Sequence, residues 1–273
     1  MLFRSDALVF MLCLLPVALT RVGNPTLAAG SRFGLRRLFA ISPVAVVGAF
    51  SAGLVTSAVA ALGSVFGERI GLSTAFISLL MLGMRLGASL MQYPIGSLSD
   101  RFDRRHVMVA LSLAAAGTAV VLFWGETLPP PAVLLLCLVF GGLNQPQYGL
   151  SVAHANDYVG KNDFVATSAG LLLAYGVGAS IGPSAAAPLM DRVGPGALFS
   201  YVAMVLLAFA GFVLYRMRRR GPIPMEAQTG FVPIPVAEVA EGSVLLDPRM
   251  PMPDPAAPTG EGSAVDGRAP LSR

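Results

Sequence analysis

Gln92-Tyr93-Pro94-Ile95-Gly96-Ser97-Leu98-Ser99-Asp100-Arg101-Phe102-Asp103-Arg104-Arg105-His106 is the stretch that decides how this 273-residue chain is read. An apolar run comes to its end at Leu98, and another starts at Val107. Between them Asp100, Arg101, Asp103, Arg104 and Arg105 crowd into one short turn, too charged to lie in hydrocarbon. The flanking runs approach or exceed the roughly 20 residues that a spanning helix needs. The turn is therefore the tip of a helical hairpin at a membrane surface.

The rest of the composition agrees. Charged residues make up 12% of the chain, against about 25% in soluble domains. Hydrophobic residues make up 55%, and the mean hydropathy is +0.69. The charges gather in clusters between long apolar runs, which is the pattern of an all-α, polytopic membrane helical bundle in contact with lipid. A net charge of +4 does not point to nucleic acid, because the basic residues sit at span ends and orient the chain in the bilayer. Cys13 and Cys137 lie inside apolar runs without metal-type spacing, and no cofactor is implied.

Taken in order, residues 1–20 read as a transmembrane helix whose outer end is cut by the start of the chain. A signal peptide is the rival, but Asp6 is wrong for its basic start and no small-residue cleavage pattern precedes Arg21. Residues 21–40 read as a cytoplasmic linker carrying Arg32, Arg36 and Arg37. Six spans are expected within 41–216, at 41–66, 74–98, 107–124, 132–152, 164–190 and 197–215. Ser73 and the pair Asn162-Asp163 are the expected helix caps, and Trp124 an interfacial aromatic. Residues 217–273 are rich in Pro and Gly without apolar periodicity and read as a disordered aqueous tail.

Arginine placement sets the orientation. One side collects Arg21, Arg32, Arg36, Arg37, Arg101, Arg104, Arg105, Lys161, Arg216, Arg218, Arg219 and Arg220, and the other only Arg4, Arg69 and Arg192. Positive loops stay inside. The N-terminus is thus expected outside and the C-terminus in the cytoplasm, across a bacterial inner membrane.

The turn Gly96, Ser97, Leu98, Ser99, Asp100, Arg101, Phe102, Asp103, Arg104, Arg105 resembles the signature loop of the major facilitator superfamily, with Asp103 in place of the usual glycine. A second resemblance lies in the sixth of the seven spans. There Gly170, Gly176, Gly178, Gly182-Pro183, Ala186 and Ala187 look like a degenerate Gly-Pro motif of drug-exporting members, or serve helix packing alone. The order of parts is similar to the sixth helix, central loop and C-terminal six-helix half of a twelve-helix secondary transporter. That resemblance implies a small-molecule substrate held between two rocking halves. It also implies a missing N-terminal half or a second copy as partner, or else a non-transporting fragment.

Candidate substrate-cavity residues follow from the cost of polarity in hydrocarbon. Arg85 stands near mid-span, where a charge costs from ~3 to over 10 kcal/mol. It is either a counter-charge for an anion or a structural arginine held by carbonyls or by the other half. Asn144, Gln145, Gln147 and Tyr148 surround Pro146 in the fifth span, where amides need partners or a wet cavity. Thr56, Ser57 and Tyr175 are weaker candidates, since hydroxyls can bond their own backbone. Gly96, Asp100, Arg101, Arg104 and Arg105 are expected to set topology and gate conformation, with their partners partly on the absent half. His154 reads as an interfacial polar residue. No carboxylate lies deep in a span, so no coupling ion is legible, and no nucleophile, metal or phosphate motif supports an enzyme.

Overall fold

The computed structural model describes residues 35–160 and 163–219, and all regular structure among them is helical. A short helix α1 (Leu35–Ile41) leads into α2 (Pro43–Arg69), α3 (Thr74–Arg101) and α4 (Arg104–Phe123). A 3-10 turn at Gly125–Thr127 follows, then α5 (Pro130–Asn144), α6 (Pro146–Asn156), α7 (Phe164–Val193) and α8 (Ala197–Arg219). With α5 and α6 taken as one broken span, six helices are long and apolar enough to cross a membrane. The first expected span, most of the linker and nearly all of the tail lie outside the described residues. Two details differ from expectation: residues 35–41 are helical rather than linker, and α8 continues through Arg219.

Local chemistry sets the ends. Ser73 caps α3 by accepting from the Phe76 amide at 3.4 Å. Asp103 caps α4 by accepting from the Arg105 amide at 2.9 Å. The acid that stands in place of the glycine expected from the resemblance therefore starts a helix. Pro146 breaks the fifth span, because it has no amide proton for the helical ladder. Gly194, at φ 116°, turns the chain from α7 into α8.

Adjacent spans run antiparallel, and the dominant pairings are α2 with α7, α3 with α5, and α4 with α8. The largest core cluster joins α2, α4, α5 and α8, where Phe66 and Phe140 both meet the Phe199 ring edge-on, at 4.8 and 6.0 Å. A second cluster around Met108, Leu150, Phe209 and Val213 fills the end near the charged hairpin. Without a hydrophobic drive between helices in lipid, small residues at crossings take over the role of close packing. A Cβ at Gly178 would strike the Phe50 carbonyl, one at Gly53 the Tyr175 carbonyl, and one at Gly182 the Leu54 carbonyl. Helices α2 and α7 thus touch backbone to backbone.

Candidate functional site

At mid-depth the bundle holds a cavity of about 400 Å³. Thr56 of α2, Arg85 of α3, and Asn144 and Gln145 at the α5–α6 break supply its polar wall, and Val59, Met81 and Phe140 are among its apolar lining. Thr56 stands midway along its 27-residue helix, and Arg85 is close to midway along α3. Gly87 and Gly141 let α3 and α5 approach until a Cβ on either would meet the other's carbonyls, which brings the Arg85 helix beside the broken span. The proline break delivers the amides. Asn144 is the last residue of α5, held at depth by the kink, and its amide nitrogen donates to the Thr56 hydroxyl at 3.3 Å. Tyr175 of α7 is not part of the lining, and its ring packs on Tyr148 at 5.2 Å.

Three further expected cavity residues lie elsewhere. Gln147 is buried between helices, where it donates to Ser112 Oγ of α4 at 3.0 Å, so its amide is spent on a helix–helix bond. Tyr148 is 2% exposed and packs edge-to-face on Tyr175 at 5.2 Å, behind the cavity wall. Ser57 donates to the Gly53 carbonyl of its own helix at 2.7 Å. The physical reason is helical phase: past the break, Gln147 and Tyr148 turn away from the face that carries Asn144 and Gln145.

The charged hairpin forms a second site at one end of the bundle. Arg104 is 1% exposed, with Nη1 3.2 Å from Asp157 at the end of α6 and Nη2 3.5 Å from Asp100. Arg105 donates to the Tyr158 hydroxyl, and Tyr158 in turn meets the buried His154 ring at 5.1 Å. The hairpin thus finds ionic partners within its own six-helix unit, and His154 is buried beside it in the last turn of α6. Asp157 and Tyr158 were missed in the sequence, where a lone acid at the end of the fifth span, facing a doubly basic turn, was the available signal. Two basic residues beside the C-terminus of α6 also complement its helix dipole.

Arg101 and Gly96 are simpler. Arg101 is exposed in the last turn of α3, and Gly96 is buried one turn earlier. At the opposite end Arg69 bridges to Asp191 at 2.7 Å and to the Met190 carbonyl at 3.2 Å, tying α2 to α7.

A family model described as Major Facilitator Superfamily matches residues 44–252. Curated relatives described as "Uncharacterized MFS-type transporter YcaD" match the chain, among them two from different genera. The one from Salmonella arizonae is 27% identical over 214 residues, covering 77% of this chain and 54% of the relative. The one from Escherichia coli is 28% identical over 229 residues, covering 83% and 55%. The chain spans about half the length of the curated relatives it matches. No solved structure matches.

Proposed function

Since the chain belongs to the major facilitator superfamily, we propose that its six-span bundle works as one half of a secondary transporter that carries a small molecule across a bacterial inner membrane. The mid-depth cavity carries this reading. Polar groups converge at the middle of α2, α3 and the broken α5–α6 span, where hydrocarbon would penalise them, and their common volume falls within the roughly 300–1,000 Å³ of small-molecule sites. Broken helices that place polar groups at the bilayer midplane are the way secondary transporters build such sites.

The partner is a second six-helix half or a second copy of this one. Helices α3 and α7 support that choice, because only 28% of each spanning window is buried, against 50–61% for the other four spans. They present Leu82, Leu86 and Leu90, and Leu173, Val177 and Ile181, outward. Rocking of two halves about the cavity would use these two faces.

Thiol labelling tests the cavity. In a background with Cys13 and Cys137 replaced by Ser, Thr56→Cys and Gln145→Cys are expected to react with a membrane-impermeant thiol reagent in cells. Ser112→Cys, fully buried between α4 and α6, is expected to stay unreactive. Cavity positions sealed from both sides of the membrane would mark a fragment that does not transport.

Orientation is tested separately. Arg36, Arg37, Arg101, Arg104, Arg105, Arg216, Arg218 and Arg219 fall at one end of the bundle, and Arg69 and Arg192 at the other. Reporter fusions after Arg105 and Arg219 are expected to read cytoplasm, and a fusion after Glu126 the periplasm. Reversal at any of them overturns the orientation.

A further inference from the structure

We propose that the cavity takes a small organic anion with an apolar body, with the Arg85 guanidinium reading its charge. The proposal rests on the reading of the bundle as a transporter half. Arg85 lies eleven residues into α3, about 17 Å along the helix axis from its start. Arg85 is exposed and borders the cavity, and the several kcal/mol that a cation costs at that depth must be offset by water, backbone carbonyls or an anionic counterpart. Among the described residues, no carboxylate supplies one. Arg69, Arg104 and His106 form ion pairs elsewhere in the bundle, and Arg85 takes part in none of these. Glu68, Asp100, Asp103, Glu126, Asp157, Asp163 and Asp191 all sit at span ends.

The cavity wall narrows the class. Besides Arg85 its polar groups are neutral, so a cationic ligand would meet repulsion with nothing to offset it. Asn144 is 5% exposed, and its amide oxygen has no hydrogen-bond partner while its nitrogen serves Thr56. That oxygen has essentially no accessible surface, so a ligand meets it only when the Asn144 side chain turns toward the cavity; a buried amide atom left unmet costs about 1–3 kcal/mol, which such a bond removes. Val59, Met81 and Phe140 give the remaining wall an apolar character suited to a ring or a branched chain. Charge and apolar body together describe an organic acid or a phosphate monoester rather than a bare inorganic ion.

The test uses the full chain purified in detergent and four probes that share one ring: benzoate, phenyl phosphate, benzamide and benzylammonium. Benzoate or phenyl phosphate is expected to raise the melting temperature with dose, and benzamide and benzylammonium to leave it unchanged. Whichever of the two anions acts settles carboxylate against phosphate. Arg85→Gln is expected to weaken that anion about tenfold to a hundredfold, the range of one charge-assisted pair. Arg85→Lys, which keeps the charge but loses the planar fork, should fall between, and it decides the matter if Arg85→Gln does not fold. Stabilisation by benzylammonium, no response to any probe, or an anion response untouched by loss of Arg85 overturns the proposal. Thr56→Cys separates this failure from that of the transporter reading. A cavity that labels but ignores anions removes only the substrate class, whereas a sealed cavity removes both.

Discussion

Asp157→Ala is expected to destabilise the bundle by about 3–5 kcal/mol, the cost of removing the buried counter-ion of a buried arginine. Arg104 and Asp157 are 1% and 3% exposed, so little water is available to take over when the carboxylate is removed. Asp100, the other acid near Arg104, is 38% exposed and 3.5 Å away, and a half-solvated pair of that kind contributes at most about 1 kcal/mol. Asp100→Ala should therefore be mild where Asp157→Ala is severe. Removing both charges tests the mechanism. Asp157→Ala combined with Arg104→Met is expected to recover most of the loss, because an apolar pair of similar volume needs no desolvation. Melting of the purified variants in detergent measures all three. An Asp157→Ala loss under 1 kcal/mol would place the arginine in water and dissolve the network.

Such a network is only half visible in a sequence. The hairpin itself was legible because its charges cannot enter hydrocarbon, and the spans because their apolar runs match the bilayer. Arg85, Asn144 and Gln145 were legible for the same reason: polar groups inside a span announce a cost that some partner must meet. The partner is what the chain order hides. Asp157 follows Arg104 by more than fifty residues, and only the packing of α6 on α4 brings them together. Gln147 shows the same limit from the other side. Its amide raised the same expectation as that of Asn144, but Pro146 resets the helix between them, and the phase after a kink is fixed by tertiary contacts rather than by spacing. Helix α1 falls where the arginines suggest an aqueous loop, whereas Leu38 packs under α7 against Gly170 and holds the segment in place.

Gly178→Leu is expected to abolish folding of the bundle, and Gly178→Ala to cost about 1–3 kcal/mol, the usual penalty of overpacking. A Cβ at Gly178 would stand on the Phe50 carbonyl with the Leu54 amide nitrogen at 3.0 Å, and both are backbone atoms of α2 that cannot rotate away. Relief requires the helices to part. Gly53 and Gly182 make the same kind of contact on either side, so separation at one point strips the whole crossing of its dispersion contacts. Gly176 provides the control, two residues away on the exposed face of α7 with nothing within 4 Å of its added Cβ. Gly176→Ala should be neutral, or stabilising by up to about 1 kcal/mol through helix propensity alone. Propensity favours alanine equally at both positions, so any difference between the two variants isolates the crossing. If Gly178→Ala melts no lower than Gly176→Ala, the backbone contact of α2 with α7 is not what holds these spans together. If it melts lower, Gly178 and Gly182 of the Gly-Pro stretch are accounted for by packing, whereas Gly176 is not.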